Sequence, residues 1–218
     1  MRIHHSYSDP PQTPYCPSWD YSIGFKTLPI NVEKLSKSCL EKEREIKKLP
    51  IQYDMGKVID GHTGLGKNST TSKFNVSPNV LGWDTPETNS LKKNIKSSIV
   101  EYNKQLGNTT PQYLWVKCWV NIMRFGEKIQ PHMHSVQNSC YLSANFTVQC
   151  DNTSTCYMNY INSINDPETY EEKNQAGTLS IFPSCVPHYT TRHYSFKPRI
   201  TIAMDIMTEN RLGNWILL

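Results

Sequence analysis

The sequence predicts a single α+β domain whose core is a β-sandwich or jelly roll. Two stretches of helical apolar spacing lie before residue 110, and about six stretches of apolar alternation follow it. No apolar run approaches the ~18 residues that a membrane span needs. A chain of 218 residues suffices for one sizeable core.

Residues 1–30 carry Pro10, Pro11, Pro14, Pro17 and Pro29 and read as an extended N-terminal arm. Residues 31–110 form a helical support region. Val32, Leu35, Cys39, Ile46 and Leu49 recur at helical spacing until Pro50 stops the run. Residues 54–80, rich in Gly, Ser, Thr and Asn, read as a long loop. Leu91, Ile95, Ile99, Tyr102 and Leu106 make a second helical stripe, and Gly107 supplies its stop.

Residues 111–206 form the β core. Tyr113 to Phe125 alternates, with Leu114, Val116, Cys118, Val120 and Ile122 on one face. Ser139–Gln149, Thr178–Phe182 and Arg199–Ile206 alternate likewise, and Thr155–Ile161 and Val186–Thr191 complete the set. Trp115 and Trp119 share a strand face and read as core.

Composition narrows the function. Hydrophobic residues make up 37% and charged residues 19%, the balance of an ordinary globular protein. The net charge of +4 is mild, and acids and bases interleave in Glu41-Lys42-Glu43-Arg44-Glu45. A nucleic-acid binder carries a clustered basic face instead. The first thirty residues lack the charged-then-apolar order of a secretory signal, so the expected location is cytoplasmic, with no membrane partner. The seven Cys include no C-x-x-C pair and read as reduced, Cys150 and Cys156 being the one close pair.

The densest chemical signal is Gln130-Pro131-His132-Met133-His134-Ser135. On a strand, residues i and i+2 point to one face, roughly 6–7 Å apart at the backbone. Two imidazoles so placed can converge on one metal ion. A third His follows a strand that ends at Pro183: Gly177-Thr178-Leu179-Ser180-Ile181-Phe182-Pro183-Ser184 leads through Cys185-Val186-Pro187 to His188. Eleven residues on comes Arg199-Ile200-Thr201. A short reversal would set Arg199 beside His188 across a ladder, deeper in the same cavity. A buried guanidinium needs an anion, and its planar fork suits a carboxylate. Three His, a buried Arg and a hydroxyl at i+2 describe a metal site with a dicarboxylate co-ligand.

The order Trp119-x-Asn121, Pro131-His-x-His134, Tyr141-Leu142, Gly-x-Leu-x-x-Phe-Pro-Ser-x-x-x-His188, Arg199-x-Thr201 resembles the 2-oxoglutarate/Fe(II) oxygenases of marine bacteria and their phages. The resemblance covers about residues 88–206. It implies a double-stranded β-helix, the jelly-roll, cupin-like form of the α+β class, with the N-terminal helices as support. It also implies Fe(II), 2-oxoglutarate and O₂ as cofactors, with ascorbate as reductant. His132 and His188 take the positions of the first and last metal ligands, and Arg199 that of the partner of the remote carboxylate of 2-oxoglutarate. Thr201 stands where the family has Ser, and Tyr141 where aromatic hydroxyls bind the co-substrate. The implied reaction is hydroxylation of a small-molecule or peptidyl substrate, with succinate and CO₂ as co-products. A homodimer is compatible with this reading.

The departure is at His134, where the usual two-His, one-carboxylate triad has an acid. Either the site has three His ligands, or His134 lies behind the site and an acid from elsewhere completes it. Asn121 and Asn145 lie on inward-facing phases and are candidate co-substrate contacts. Asp205, on the strand face of Arg199 and Thr201, reads as a substrate contact or as a partner for Arg199. No catalytic residue is assigned beyond the metal ligands. A non-catalytic metal-binding, cupin-like module or a degenerate oxygenase is the alternative that the missing acid suggests.

Gly61-His-Thr-Gly-Leu-Gly66-Lys67-Asn68 nearly matches a phosphate-binding loop, which would make residues 61–69 a nucleotide site. Its context argues against this, because no strong strand precedes it and Asn68 to Pro78 cannot open a helix. His4, His5 and His62 read as surface residues, and His193 as part of a hairpin turn.

Overall fold

The computed structural model describes residues 1–11, 13–134, 140–161, 165–209 and 213–218. Strands β1 (Arg2–Ser6) and β2 (Tyr21–Thr27) precede helix α1 (Val32–Ile46). A small hairpin of β3 (Tyr53–Asp54) and β4 (Lys57–Val58) follows. Two 3-10 turns, Thr71–Lys73 and Val80–Gly82, then lead to α2 (Pro86–Gln105). The remaining strands are β5 (Trp115–Met123), β6 (Cys140–Gln149), β7 (Ser154–Asn159), β8 (Glu168–Lys173), β9 (Thr178–Pro183), β10 (His188–Thr190), β11 (Arg199–Met207) and β12 (Ile216–Leu217). Among the described residues no helix is long and apolar enough to cross a membrane. Cys150 and Cys156 are free thiols.

The long strands join one seven-stranded sheet in the order β1-β2-β9-β6-β11-β5-β12, and β10-β7-β8 form a second, smaller sheet. Every pairing is antiparallel, with β11 running between β5 and β6. Because side chains alternate along a strand, each strand of the large sheet has two destinies. Val116, Cys118, Val120 and Ile122 of β5 point outward and pack with Leu35, Leu91, Ile95 and Ile99 of the two helices, forming the main apolar cluster. The opposite phase faces the small sheet. There Tyr21, Ile23 and Phe25 of β2 pack on Tyr157 and Phe182, and beyond them the inter-sheet layer turns polar.

The helices form where the apolar spacing predicts them. Asn31 caps α1 by accepting from the Lys34 amide. Thr85 and Thr88 cap α2 reciprocally, with Pro86 in its first turn. Glu43 of α1 takes two bonds from Arg124 Nη2, at 2.9 and 2.7 Å, which ties the helix to the end of β5.

Residues 1–30 contribute more than an arm. Tyr21–Thr27 lies inside the large sheet between β1 and β9. The Pro-rich segment between β1 and β2 hides that alternation in the sequence. Gly24 is required there: a Cβ would lie 2.8 Å from the Tyr102 ring, so only Gly lets β2 approach α2 this closely. Strand β8, Glu-Thr-Tyr-Glu-Glu-Lys, has no apolar phase because it is a largely exposed edge. The alternating segment that begins at Ser139 is a strand from Cys140 onward, and Ser135 and Ser139 lie outside the described residues.

Candidate metal centre

The three sequence-predicted imidazoles come together. After β5 the chain turns at Arg124–Glu127 and runs antiparallel alongside β10. Thr190 N donates to Ile129 O, and His132 and His188 exchange both backbone bonds, at 3.0 and 2.9 Å. His134, two residues on, is fixed by its amide to Ser184 O. Ring centroids lie 4.4 Å apart for His132–His188, 5.2 Å for His134–His188 and 5.7 Å for His132–His134. One nitrogen from each ring falls within 4.8 Å of the other two.

Which nitrogen points inward follows from the hydrogen bonds. His132 Nδ1 meets Gln130 O at 2.8 Å, His188 Nδ1 meets Val186 O at 3.0 Å, and His134 Nδ1 meets Asp205 Oδ1 at 2.5 Å. Each partner is an acceptor, so each Nδ1 carries a proton, and in the neutral ring Nε2 then holds the lone pair. Burial, and then the neighbouring His134, push the His132 pKa down to about 4. His188 is pushed well below its ordinary value by burial and then by the other two rings. Neutral imidazoles in this arrangement are metal donors, and three donors on one side leave positions open for further ligands.

The cluster opens into a cavity of about 460 Å³ walled by Trp119, Asn121, Asn145, Ala203 and Asp205 of the large sheet. Its outer wall is Asp54–Thr63, with exposed Met55 at the tip. That loop is anchored by the Gln130 amide on Thr63 O, right beside the H-x-H segment. The start of the near-match to a phosphate loop, Gly61 to Thr63, is therefore part of the cavity wall, and only the 3-10 turn Thr71–Lys73 follows the segment closely, with no helix to hold a phosphate. The turn docks through Thr71 Oγ1, which donates to Asn121 Oδ1 at 2.5 Å. Asn145 Oδ1 is buried in the wall without a partner.

Along β11, the face that carries Asp205 and Ala203 continues to Thr201 and Arg199, both 0% exposed. Arg199 Nη1 bonds to Met123 Sδ, at 3.5 Å, while among the described residues Nε, Nη2 and the Thr201 hydroxyl have no partner. Among the described residues no carboxylate lies within ion-pair distance of Arg199; burial lowers its pKa to about 10, which still leaves a cation at neutral pH. A buried cation and hydroxyl with donors to spare are what a dicarboxylate would satisfy.

Several expectations need correction. Arg199 does not lie beside His188 across a ladder: β10 pairs with β7, and β11 with β5 and β6, so the two residues come from different sheets. Asp205 pairs with His134 rather than with Arg199. Tyr141 is not in the cavity. The register slips between Ile206 and Met207, which pair with Leu142 and Cys140, so Tyr141 is the extra residue of a bulge. Its side chain packs on the helix-side cluster and its hydroxyl donates to Asn103 Oδ1 at 2.8 Å. Trp119 is not simply core: its ring lies 5.7 Å from His134, and its buried Nε1–H has no partner. His193 is fully buried, held by Lys197 O at 2.7 Å, and has no part in the cluster.

One residue escaped sequence reading. Tyr157, on β7 opposite His188, is fully buried, and its hydroxyl bonds to Ser180. It faces inward near His188, the place that sequence order gave to Tyr141. Inward alternation with Thr155 was the only signal in the sequence.

Residues 117–205 match the family model described as "Putative 2OG-Fe(II) oxygenase". That stretch is similar to the 2-oxoglutarate/Fe(II) oxygenases, a family that uses Fe(II), 2-oxoglutarate and O₂. The matched stretch holds all three His, Arg199 and Thr201. No curated protein matches the chain. Among solved structures, a prolyl-4-hydroxylase of Pseudomonas putida superposes with a TM-score of 0.55 at 13% identity, over 85% of this chain and 87% of that one. A prolyl hydroxylase of Trichoplax adhaerens, in complex with a hypoxia inducible factor oxygen degradation domain peptide fragment, gives 0.56 at 13% identity, over 85% and 83%. The α-ketoglutarate-dependent carbocyclase SnoK of nogalamycin biosynthesis gives 0.54 at 12%, over 84% and 79%. These likenesses are of fold, and they make the two-sheet core a double-stranded β-helix.

Proposed function

We propose that this protein binds Fe(II) through Nε2 of His132, His134 and His188, and 2-oxoglutarate through Arg199 and Thr201, and that it hydroxylates a small-molecule or peptidyl substrate. The observation that carries the proposal is the fully buried Arg199 guanidinium with unpartnered donors, one sheet away from three convergent imidazoles. Iron and 2-oxoglutarate would together supply O₂ activation, with succinate and CO₂ as co-products. The chain's own residues bind, orient and exclude water. The three Nδ1 hydrogen bonds fix the rings with Nε2 inward, the Arg199 fork offers a bidentate seat for a carboxylate, and Thr201 can donate beside it. Trp119 and Asn145 leave a donor and an acceptor on the wall where a substrate would lie. Two of the fold neighbours named above are hydroxylases, and one of these holds a peptide. That motivates the peptidyl half of the substrate class.

The test is succinate formation from 2-oxoglutarate with Fe(II), ascorbate and O₂. Uncoupled turnover is sufficient, and its absence from folded, metal-loaded protein refutes the proposal. A non-catalytic metal-binding module is the second reading, favoured by the lack of a carboxylate ligand in the His cluster among the described residues. Such a module would bind metal without metal-dependent affinity for 2-oxoglutarate.

A further inference from the structure

We infer that Asp205 stands in for the carboxylate that the H-x-H motif lacks, holding the His134 ring by its Nδ1–H and keeping a negative charge one imidazole away from the metal. The inference rests on the metal-site reading above. All three rings are held by an acceptor at Nδ1, but the acceptors differ in kind. His132 and His188 are held by the neutral carbonyls of Gln130 and Val186, and His134 alone by a carboxylate, at 2.5 Å. Asp205 is not a fourth donor to the same point, because the convergent group comprises only the three His among the described residues.

Asp205 is also committed to this role. The base facing it on β5, Lys117, sends its Nζ to Asn75 Oδ1 at 2.9 Å and lies over the Phe74 ring. Asp205 instead accepts from the His134 Nδ1–H. Trp119 and Phe182 flank the His134 ring, at 5.7 and 6.3 Å between centroids, so packing and the carboxylate together fix its orientation. An imidazole that donates Nδ1–H to a carboxylate is a stronger donor at Nε2 than one bonded to a carbonyl. The pair His134–Asp205 thus restores, at one remove, both the charge and the directionality of an acidic ligand. Asp205 is a positioning residue in this arrangement, because it acts through His134.

The test is a titration of metal-free protein with Co(II), without 2-oxoglutarate, read by calorimetry and by the visible absorption of the bound ion. Asp205→Asn keeps a side-chain oxygen at Nδ1 and removes only the charge, so it should weaken Co(II) binding about 10–100-fold without unfolding the protein. In a His134→Asp background the ligand is itself an acid, and two neighbouring carboxylates repel. There Asp205→Asn should leave Co(II) affinity unchanged or raise it. Wild-type affinity in Asp205→Asn, or an equal loss in both backgrounds, overturns the inference. His132→Ala separates the two levels of the argument. If it abolishes Co(II) binding while Asp205→Asn does not weaken it, the role of Asp205 alone falls. If His132→Ala binds Co(II) as the wild type does, the metal site falls and the inference with it.

Discussion

Replacing Arg199 by Met separates a co-substrate anchor from a structural cation. The guanidinium is wholly buried and has no carboxylate partner among the described residues. Burial takes its pKa from 12.5 to about 10. At 1.36 kcal/mol per unit, holding the charge in the ligand-free fold costs on the order of 3 kcal/mol. The folded value lies below the ordinary one, so this cost is full at neutral pH and fades only as pH rises past about 10. Met is of similar length and removes the charge without opening the cavity that Ala would leave. Arg199→Met should therefore unfold at higher urea than the wild type when both are free of ligand, by about 1–3 kcal/mol. The same variant should bind metal normally and lose most of its 2-oxoglutarate affinity. In the wild type, 2-oxoglutarate at a hundredfold excess over its Kd should add about 2.7 kcal/mol to the metal-loaded fold, and in Arg199→Met nothing. A variant that is destabilised by more than about 2 kcal/mol, or that still gains stability from 2-oxoglutarate, would refute the reasoning.

Three further outcomes follow from the geometry. Tyr141→Phe should leave metal and 2-oxoglutarate affinity unchanged and cost about 1 kcal/mol of stability, since it removes only the bond to Asn103; a drop in co-substrate affinity would return Tyr141 to the site. Gly24→Ala should lower the melting temperature, because its Cβ meets the Tyr102 ring at 2.8 Å, an overpacking worth about 1–3 kcal/mol. Glu43 is held below its ordinary 4.5 by its bonds to Lys47 and Arg124, against an opposing push from burial. Its stabilising contribution is thus present above pH 4.5 and lost as pH falls through the lower folded value, and Glu43→Gln should flatten the acid side of a stability–pH profile.

Much of this fold was legible in the chain because the periods that encode it are local. The outward phase of β5, Val116 to Ile122, names the residues that the helices cover, and the stripe from Leu91 to Tyr102 names the face that covers them. The H-x-H spacing places two imidazoles on one side of an extended segment whatever that segment pairs with. Strands β2 and β8 were missed for opposite reasons. The first has alternation masked by neighbouring prolines, and the second is an exposed edge that needs no apolar face.

By itself, then, the sequence determined the residue types available to the site and the strand phase on which each lies: His132, His134, His188, Arg199, Thr201, Asn121 and Asn145. A period of two is a property of the backbone alone. Partners are not. Only the tertiary structure decided that Arg199 and His188 lie in different sheets, that a register slip turns Tyr141 outward while Tyr157 faces in, and that Asp205 bonds to His134. A single inserted residue reverses a strand's faces, and a hydrogen bond between residues 71 positions apart depends on how the whole sheet is ordered.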